Sequence, residues 1–179
     1  MSGFEPGDKV QGFMLKNANE KYEKEISLDD IMGHNGAIIV FECNHCPYVV
    51  GSIDRINEIS SFASKCNLGF VGINSNDSIK YPDDSFESMR KRASKGMPYP
   101  YLHDETQQIA KEWGAVRTPE FYLIDNNRTV VYRGRLDDSP KDPSAATTSE
   151  LFDAIEALIS LKTPKITRTD PIGCSVKWK

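Results

Sequence analysis

Two cysteines three positions apart, Cys43 and Cys46, enclose Asn44 and His45. Thiol–disulfide exchange needs two thiols that can close a small ring, one of them a thiolate near neutral pH. We expect Cys43 to attack and Cys46 to resolve, because Cys43 should lie just ahead of a helix whose first N–H groups favour an anionic sulfur. A charged His45 would lower the pKa of a nearby thiol, whereas Glu42 would raise it if its carboxylate faced the same space.

The same pair could instead be half of a zinc site, because structural zinc takes four ligands of this kind. The other candidate ligands are scattered along the chain: His45, His103, Cys66 and Cys174. Two buried, inert cysteines are a further alternative, but the polar Asn44 and His45 followed by Pro47 favour the end of an element. We expect no metal ion and no cofactor, only a redox-active Cys43–Cys46 disulfide.

The elements around this motif follow from the spacing of apolar residues. An apolar run over 37–42 predicts a buried strand that ends at the cysteines. Apolar residues at spacings of three and four predict one amphipathic helix from Pro47 to about Lys65, and a second buried strand over 69–74 completes a parallel β-α-β unit. The other predicted elements are hairpins over 10–28 and 120–135, helices over 85–95, 104–113 and 149–161, and a strand over 99–103.

This order predicts an α/β fold in three layers, α/β/α, with a central mixed sheet and an N-terminal β-hairpin. We expect one domain over residues 1–179, with a core at about 10–161 and a C-terminal tail over 162–179. A chain of this length can bury a hydrophobic core large enough to be stable without disulfide bonds.

Thr118 and Pro119 directly precede the predicted strand over 120–125. A cis-proline here would leave neighbouring backbone groups free to pair with an extended substrate chain, while an ordinary trans-proline at the start of an edge strand is the alternative. We predict that His45, Thr118 and Pro119 bind the substrate.

Charge and hydropathy exclude several classes of partner. Lys and Arg number 22 against 26 Asp and Glu, a net charge of −4, so we expect no nucleic-acid partner. The longest apolar run, 37–41, is far shorter than the ~20 residues of a membrane span, and the first residues lack a signal-peptide pattern. We expect a cytoplasmic monomer or weak homodimer, whose partners are protein thiols or disulfides and an unidentified electron donor.

Several stretches together resemble the thioredoxin superfamily, and within it the redoxin branch grouped with alkyl hydroperoxide reductase and thiol-specific antioxidant. The stretches are Phe41 to Tyr48, Gly72 to Asp77, Pro100 to Gln107, Thr118 to Phe121, Tyr132 to Asp138 and Ile172 to Cys174. The resemblance implies a thioredoxin fold with an inserted strand and helix. It also implies a nucleophilic Cys43, a resolving Cys46 and a cis Pro119.

The chain departs from typical thioredoxins next to the cysteines. Glu42 stands where they have Trp, and Asn44 and His45 replace their Gly-Pro. A His before the second cysteine is similar to protein disulfide isomerases and favours a more oxidising couple.

Two other functions are weighed against disulfide exchange. Peroxiredoxins carry Pro seven and Thr or Ser three residues before the peroxidatic cysteine; Cys43 has Gly36 and Val40 there, and Cys46 has Ile39 and Cys43. A thiol peroxidase is therefore the less favoured alternative. The second alternative is a binding module that holds a partner chain at the groove beside Pro119 without catalysing a reaction.

The last cysteine, Cys174, lies in a tail that ends near Trp178. We hypothesise that the tail folds back and that Cys174 is a third redox thiol or a cap over Cys43 and Cys46; a buried, inert thiol is the alternative. Cys66, near the end of the predicted helix, is interpreted as a packed thiol.

Overall fold

The computed structural model describes residues 3–179 and places a mixed β-sheet at its centre; Met1 and Ser2, the start of the expected domain, lie outside the described residues. The strands are β1 (Met14–Asn17), β2 (Glu25–Ser27), β3 (Gly36–Phe41), β4 (Leu68–Asn74), β5 (Tyr101–His103), β6 (Arg117–Thr118), β7 (Glu120–Asp125), β8 (Val130–Gly134) and β9 (Cys174–Ser175). The helices are α1 (Leu28–Ile31), α2 (Pro47–Val50), α3 (Ile53–Lys65), α4 (Phe86–Ala93), α5 (Gln108–Trp113) and α6 (Glu150–Ile159), with short 3-10 turns at Pro82–Asp84 and Pro143–Ala145.

The sheet consists of two parts that meet at β3 and β4. One part has the order β2-β1-β5-β4 and the other β3-β7-β8. The pairs β1–β2, β3–β7 and β7–β8 are antiparallel, whereas β4 and β5 are parallel. β3 contacts β4, and the N–H of Glu42 donates to the carbonyl of Ile73 at 2.9 Å. The predicted mixed sheet and both predicted hairpins are therefore confirmed.

Alternate residues of β3 point to opposite faces of the sheet, and each face has its own core. Ile38 and Val40 pack with α3, α4 and α6, whereas Ala37, Ile39 and Phe41 pack with α1 and α5. Every residue of β3 is buried, as its unbroken apolar sequence predicts. The helices on both faces give the three-layer α/β/α fold with thioredoxin-like topology, which confirms the predicted fold class.

The prediction of one continuous helix from Pro47 to Lys65 is wrong, because the helix is interrupted at Gly51 and Ser52, between α2 and α3. A Cβ atom at Gly51 would lie 2.9 Å from the Cα of Lys141, so only glycine allows this loop to approach. The Ser52 hydroxyl lies 2.8 Å from the carbonyls of both Tyr48 and Pro140. The helix is thus interrupted where a distant loop crosses it.

The helix predicted to begin at Asp104 begins later, at Gln108, because Gln107 adopts a left-handed conformation with φ 64°. The Asp104 carboxylate nevertheless accepts from the N–H groups of Ile109 at 3.3 Å and Ala110 at 2.9 Å. Gly114, with φ 78°, ends the helix as predicted.

The C-terminal tail over 162–179 runs along β8 and then returns to the cysteines. The N–H of Arg133 donates to the carbonyl of Thr167, and the N–H of Thr169 donates to the carbonyl of Arg133, both at 3.0 Å. Further on, β9 pairs with β6 in antiparallel register. None of the described helices is long and apolar enough to cross a bilayer.

Candidate active site

The CxxC sequence lies in the connection between β3 and α2. Cys46 is the N-cap residue of α2, and Cys43 lies three positions before it. The expectation that Cys43 sits directly ahead of the first helical turn is therefore wrong. Because α2 is only four residues long, its dipole is small. Other groups must set the acidity of the two thiols.

Both sulfur atoms face Thr118. The Sγ of Cys43 lies 3.3 Å from the Thr118 hydroxyl, and the Sγ of Cys46 lies 3.2 Å from the Thr118 carbonyl oxygen, to which its protonated thiol can donate. The peptide bond between Thr118 and Pro119 is cis, as the resemblance implies. The structure thus brings together Cys43, Cys46, Thr118 and Pro119, four of the residues predicted from the sequence.

His45 is held by an acidic residue and does not lie against Thr118. Its Nδ1 lies 2.5 Å from the Oδ2 of Asp84, and its ring stacks on Tyr81 with centroids 5.7 Å apart. Asp84 is fully buried. It also accepts from the N–H of Asn44 at 2.6 Å and from the side-chain amide of Asn76 at 2.9 Å.

Cys43, His45 and Asp84 each bring one possible ligand atom within 4.8 Å of the others. These are the side chains that could share a metal ion at this site. Of the other candidate ligands, Cys174 packs against the cysteine pair. Cys66 packs instead against the core on the α3 side of the sheet, and the His103 ring packs on Phe86.

The two thiols differ in acidity. The largest influence on the pKa of Cys46 is a hydrogen bond from the thiol of Cys43, which lowers it. Donors that include the thiol and amide of Cys174 lower it further, whereas burial raises it. The same bond to Cys46, then burial and the charge of Asp84, raises the pKa of Cys43. The negative charge of the reduced pair is therefore favoured on Cys46 in this arrangement, whereas the sequence favoured Cys43.

Glu42 does not face the thiols. Its carboxylate accepts from the guanidinium of Arg92 at 2.6 Å and from the hydroxyl of Tyr99 at 2.8 Å. Arg92 also donates to the carbonyl of Cys43 at 3.0 Å. The buried ion pair therefore fixes the backbone at the first cysteine while it neutralises the adjacent carboxylate.

Cys174 lies over the cysteine pair. Cys43, Cys46 and Val49 form a small buried cluster against which Tyr48 and Cys174 pack. Cys174 is the register partner of Thr118 in the β6–β9 pair. With the tail in this position, Cys43 is 1% exposed and Cys46 is 0% exposed. The predicted return of the tail to the cysteines is confirmed; a redox role for Cys174 stays a prediction.

Sequence reasoning missed Asp84, Arg92 and Gln107. Asp84 stands in a polar stretch beside the exposed Asp83, and nothing in the local pattern separates the two carboxylates. Gln107 is buried and binds the tail, but its left-handed conformation has no signal in its residue type. Only contacts between distant segments identify these residues.

Comparison with known proteins places the chain in a family. Residues 5–149 match the Redoxin family, so the chain belongs to it. No curated protein matched the sequence. An uncharacterized conserved protein from Geobacillus kaustophilus is 37% identical, with a TM-score of 0.91, and the alignment covers 98% of this chain and 93% of that one.

Two more distant solved structures share the fold. The peroxidoxin BcpB from Mycobacterium tuberculosis is 16% identical, with a TM-score of 0.66 and coverage of 89% of this chain and 99% of that one. A secreted disulfide oxidoreductase of M. tuberculosis, homologous to E. coli DsbE, is 17% identical, with a TM-score of 0.59 and coverage of 81% and 95%. Membership of the Redoxin family, together with the paired cysteines, supports a thiol oxidoreductase in the broad sense.

Proposed function

We propose that the protein catalyses dithiol–disulfide exchange with protein thiols and disulfides through Cys43 and Cys46. The observation that carries this proposal is the position of both sulfurs against Thr118, 3.3 Å from its hydroxyl and 3.2 Å from its carbonyl. Two thiols within one short connection can close a ring. The edge of β6 beside them pairs with the extended strand β9, and a substrate chain that displaces β9 can pair with the same edge.

Exchange begins when the proton of Cys43 passes to the thiolate of Cys46 and the resulting thiolate of Cys43 attacks one sulfur of a substrate disulfide. The substrate S–S bond breaks, a mixed disulfide forms on Cys43, and the second substrate sulfur leaves as a thiolate that takes the proton from Cys46. The thiolate of Cys46 then attacks the Sγ of Cys43 and displaces the first substrate sulfur as a thiolate. The products are a Cys43–Cys46 disulfide and a reduced substrate, so two electrons have passed to the substrate. A dithiol donor restores the reduced pair, and the reverse sequence oxidises a dithiol.

The sequence before the two cysteines and the position of His45 favour disulfide exchange over peroxidase activity. The positions three and seven residues before each cysteine lack the Thr or Ser and the Pro that the peroxidase pattern requires. His45, partly exposed beside the pair and held by Asp84, can contact an incoming substrate. We expect His45, Thr118 and Pro119 to line the surface on which the substrate chain lies.

Insulin reduction driven by dithiothreitol tests the proposal. We expect the wild-type protein to accelerate insulin precipitation, and Cys43→Ser to abolish the acceleration. Cys66→Ser is the matched control, because Cys66 packs away from the pair, and it should retain full activity.

Two results would overturn the proposal. If Cys43→Ser kept the wild-type rate, the pair would not be the catalyst. If the wild-type protein left insulin unchanged but consumed hydrogen peroxide with dithiothreitol, the peroxidase alternative would replace disulfide exchange. A pure binding module would show neither activity, and Cys43→Ser would leave its affinity for the partner unchanged.

A further inference from the structure

The chain's own C-terminal segment occupies the edge of β6 beside the cysteines. Thr118 pairs with Cys174, and Arg117 pairs with Ser175, in antiparallel register. The N–H of Val176 donates to the carbonyl of Val116 at 3.0 Å, and the guanidinium of Arg117 donates to the carbonyl of Gly173 at 3.0 Å. Residues 173–179, called here the tail segment, therefore lie where the proposed function places a substrate chain.

Buried polar groups hold the tail segment in this register. Gln107 donates to the carbonyl of Lys177 at 2.8 Å and accepts from the N–H of Lys179 at 2.9 Å. The N–H of Lys177 donates to the side-chain oxygen of Asn76 at 2.9 Å. Val176, within the segment, is itself buried. Together with the pairing to β6, these contacts come from three separate parts of the chain, so the position of Cys174 is specified by the fold.

The register places the sulfur of Cys174 against the cysteine pair. Cys174 packs on the cluster of Cys43, Cys46 and Val49. The thiol and the amide of Cys174 are also among the groups that lower the pKa of Cys46, after the thiol of Cys43. Cys46 is thus the shared neighbour of two thiols, Cys43 on one side and Cys174 on the other.

We propose that Cys174 is a third redox thiol that exchanges with Cys46, so that the oxidised protein interconverts between a Cys43–Cys46 and a Cys46–Cys174 disulfide. This inference rests on the proposed function, which supplies the first disulfide. The thiolate of Cys174 attacks the Sγ of Cys46; the Cys46–Cys174 bond forms as the Cys43–Cys46 bond breaks. Cys43 leaves as a thiolate and takes up the proton that Cys174 lost. The number of disulfides is unchanged, so no external oxidant is consumed.

The exchange has a consequence for Cys43. In the Cys46–Cys174 form the protein is oxidised, yet Cys43 is a free thiol without its hydrogen-bond partner at Cys46. That hydrogen bond is the largest cause of the raised pKa of Cys43. The exchange therefore lowers the pKa of Cys43 and raises the fraction of it that is thiolate at a given pH, in a protein that still stores a disulfide. It can then attack a second disulfide, which a two-cysteine enzyme in its oxidised state cannot do.

The test uses full-length variants in which Cys66→Ser removes the bystander thiol. C43S/C66S retains Cys46 and Cys174, and C66S/C174S retains Cys43 and Cys46. Each is equilibrated in glutathione buffers from reducing to oxidising, free thiols are alkylated, and the adducts are counted by mass spectrometry. We expect both variants to lose two alkylatable thiols together in oxidising buffer without adding glutathione. Peptide mapping of the oxidised wild-type protein should also give a Cys46–Cys174 cross-linked peptide.

The outcomes separate this inference from the proposed function. If C66S/C174S forms its disulfide, while C43S/C66S keeps both thiols or adds glutathione and the wild-type map lacks the Cys46–Cys174 peptide, the inference is overturned and the proposed function stands. If C66S/C174S forms no disulfide, the proposed function fails first. The wild-type map decides the question independently should C43S/C66S not fold.

Discussion

Cys43 and Cys46 belong to one short motif, but they face two different regions of the molecule. Cys43 lies on an acidic side, where His45 and the buried carboxylate of Asp84 surround it. Cys46 lies on the tail side, where Cys174 packs against the cysteine cluster. The hydrogen bond between the two thiols moves their pKa values in opposite directions. The charge of Asp84 raises the pKa of Cys43 further, and the donors of Cys174 lower that of Cys46 further.

This contrast shows that the motif alone does not assign the roles of its cysteines. The largest influence on the pKa of each thiol is the hydrogen bond between the two cysteines, and the further neighbours include Asp84 from the turn before α4 and Cys174 from the C-terminal tail. Removing Asp84 or Cys174 should shift the negative charge between the two thiols, so substitutions at these residues test the contrast experimentally.

The largest expected effect comes from removing each cysteine in turn. Cys46→Ser should trap substrate as a stable mixed disulfide on Cys43, because nothing on the acidic side can displace it. Cys43→Ser should trap none, and both variants should lose turnover entirely. Denaturing gels without reductant, after incubation with oxidised insulin, would measure the adduct. An adduct on Cys43→Ser alone would reverse the assigned order of attack.

A large effect on stability is expected from the buried ion pair of Arg92 and Glu42, which keeps the Glu42 carboxylate away from the two thiols. Arg92→Met would leave the fully buried Glu42 carboxylate without its ion pair, which costs about 3–5 kcal/mol. Arg90→Met, on the same helix, breaks only exposed pairs with Glu20 and Glu87 and should cost far less, because water screens exposed ion pairs. Urea denaturation measures both. Equal losses for the two variants would contradict a structural role for the buried pair.

A smaller effect is expected on the acidic side. Asp84→Asn removes a charge that raises the pKa of Cys43, so its alkylation at neutral pH should accelerate, by up to about tenfold for one pKa unit. Asp83→Asn removes the neighbouring exposed charge and should leave the rate unchanged. The pH dependence of iodoacetamide labelling, followed by peptide mapping, measures the effect. A slower reaction in Asp84→Asn would mean that the carboxylate activates Cys43.

The smallest expected effect is on the tail side. The thiol of Cys43 and then the donors of Cys174 lower the pKa of Cys46, so the thiolate absorbance of the reduced protein should persist below the pH at which an ordinary cysteine is protonated. Cys174→Ala removes one donor and keeps the amide, so the absorbance should disappear at a slightly higher pH. Cys66→Ser should not move this transition. An unchanged transition in Cys174→Ala would exclude the tail thiol as a donor.

The parts of this molecule that depend on local pattern could be predicted from the sequence. The buried strand β3 follows from an unbroken apolar run, the hairpin of β7 and β8 from its turn residues, and the end of α5 from Gly114. The break between α2 and α3 could not be predicted, because it depends on the approach of Lys141 and Pro140 to Gly51 and Ser52.

The candidate site likewise has parts that the sequence predicts and parts that only the fold assembles. The CxxC sequence and Thr118-Pro119 identified the reacting sulfurs and the surface opposite them. The position of Cys43 relative to the helix was wrong because the length of α2 is set by tertiary packing. Asp84 and Gln107 reach the site from elsewhere in the chain, and only the folded arrangement assigns them to it.

The most direct test of the redox pair is a glutathione titration of the full-length wild-type protein, with free thiols trapped by alkylation and located by mass spectrometry. We expect two thiols to lose reactivity together in a two-electron step, Cys46 and its partner, which is Cys43 or, after internal exchange, Cys174. A midpoint near −270 mV would indicate a thioredoxin-like reductant, and one near or above about −180 mV an oxidant or isomerase. Two thiols that stay alkylatable at every potential would contradict a redox-active Cys43–Cys46 pair.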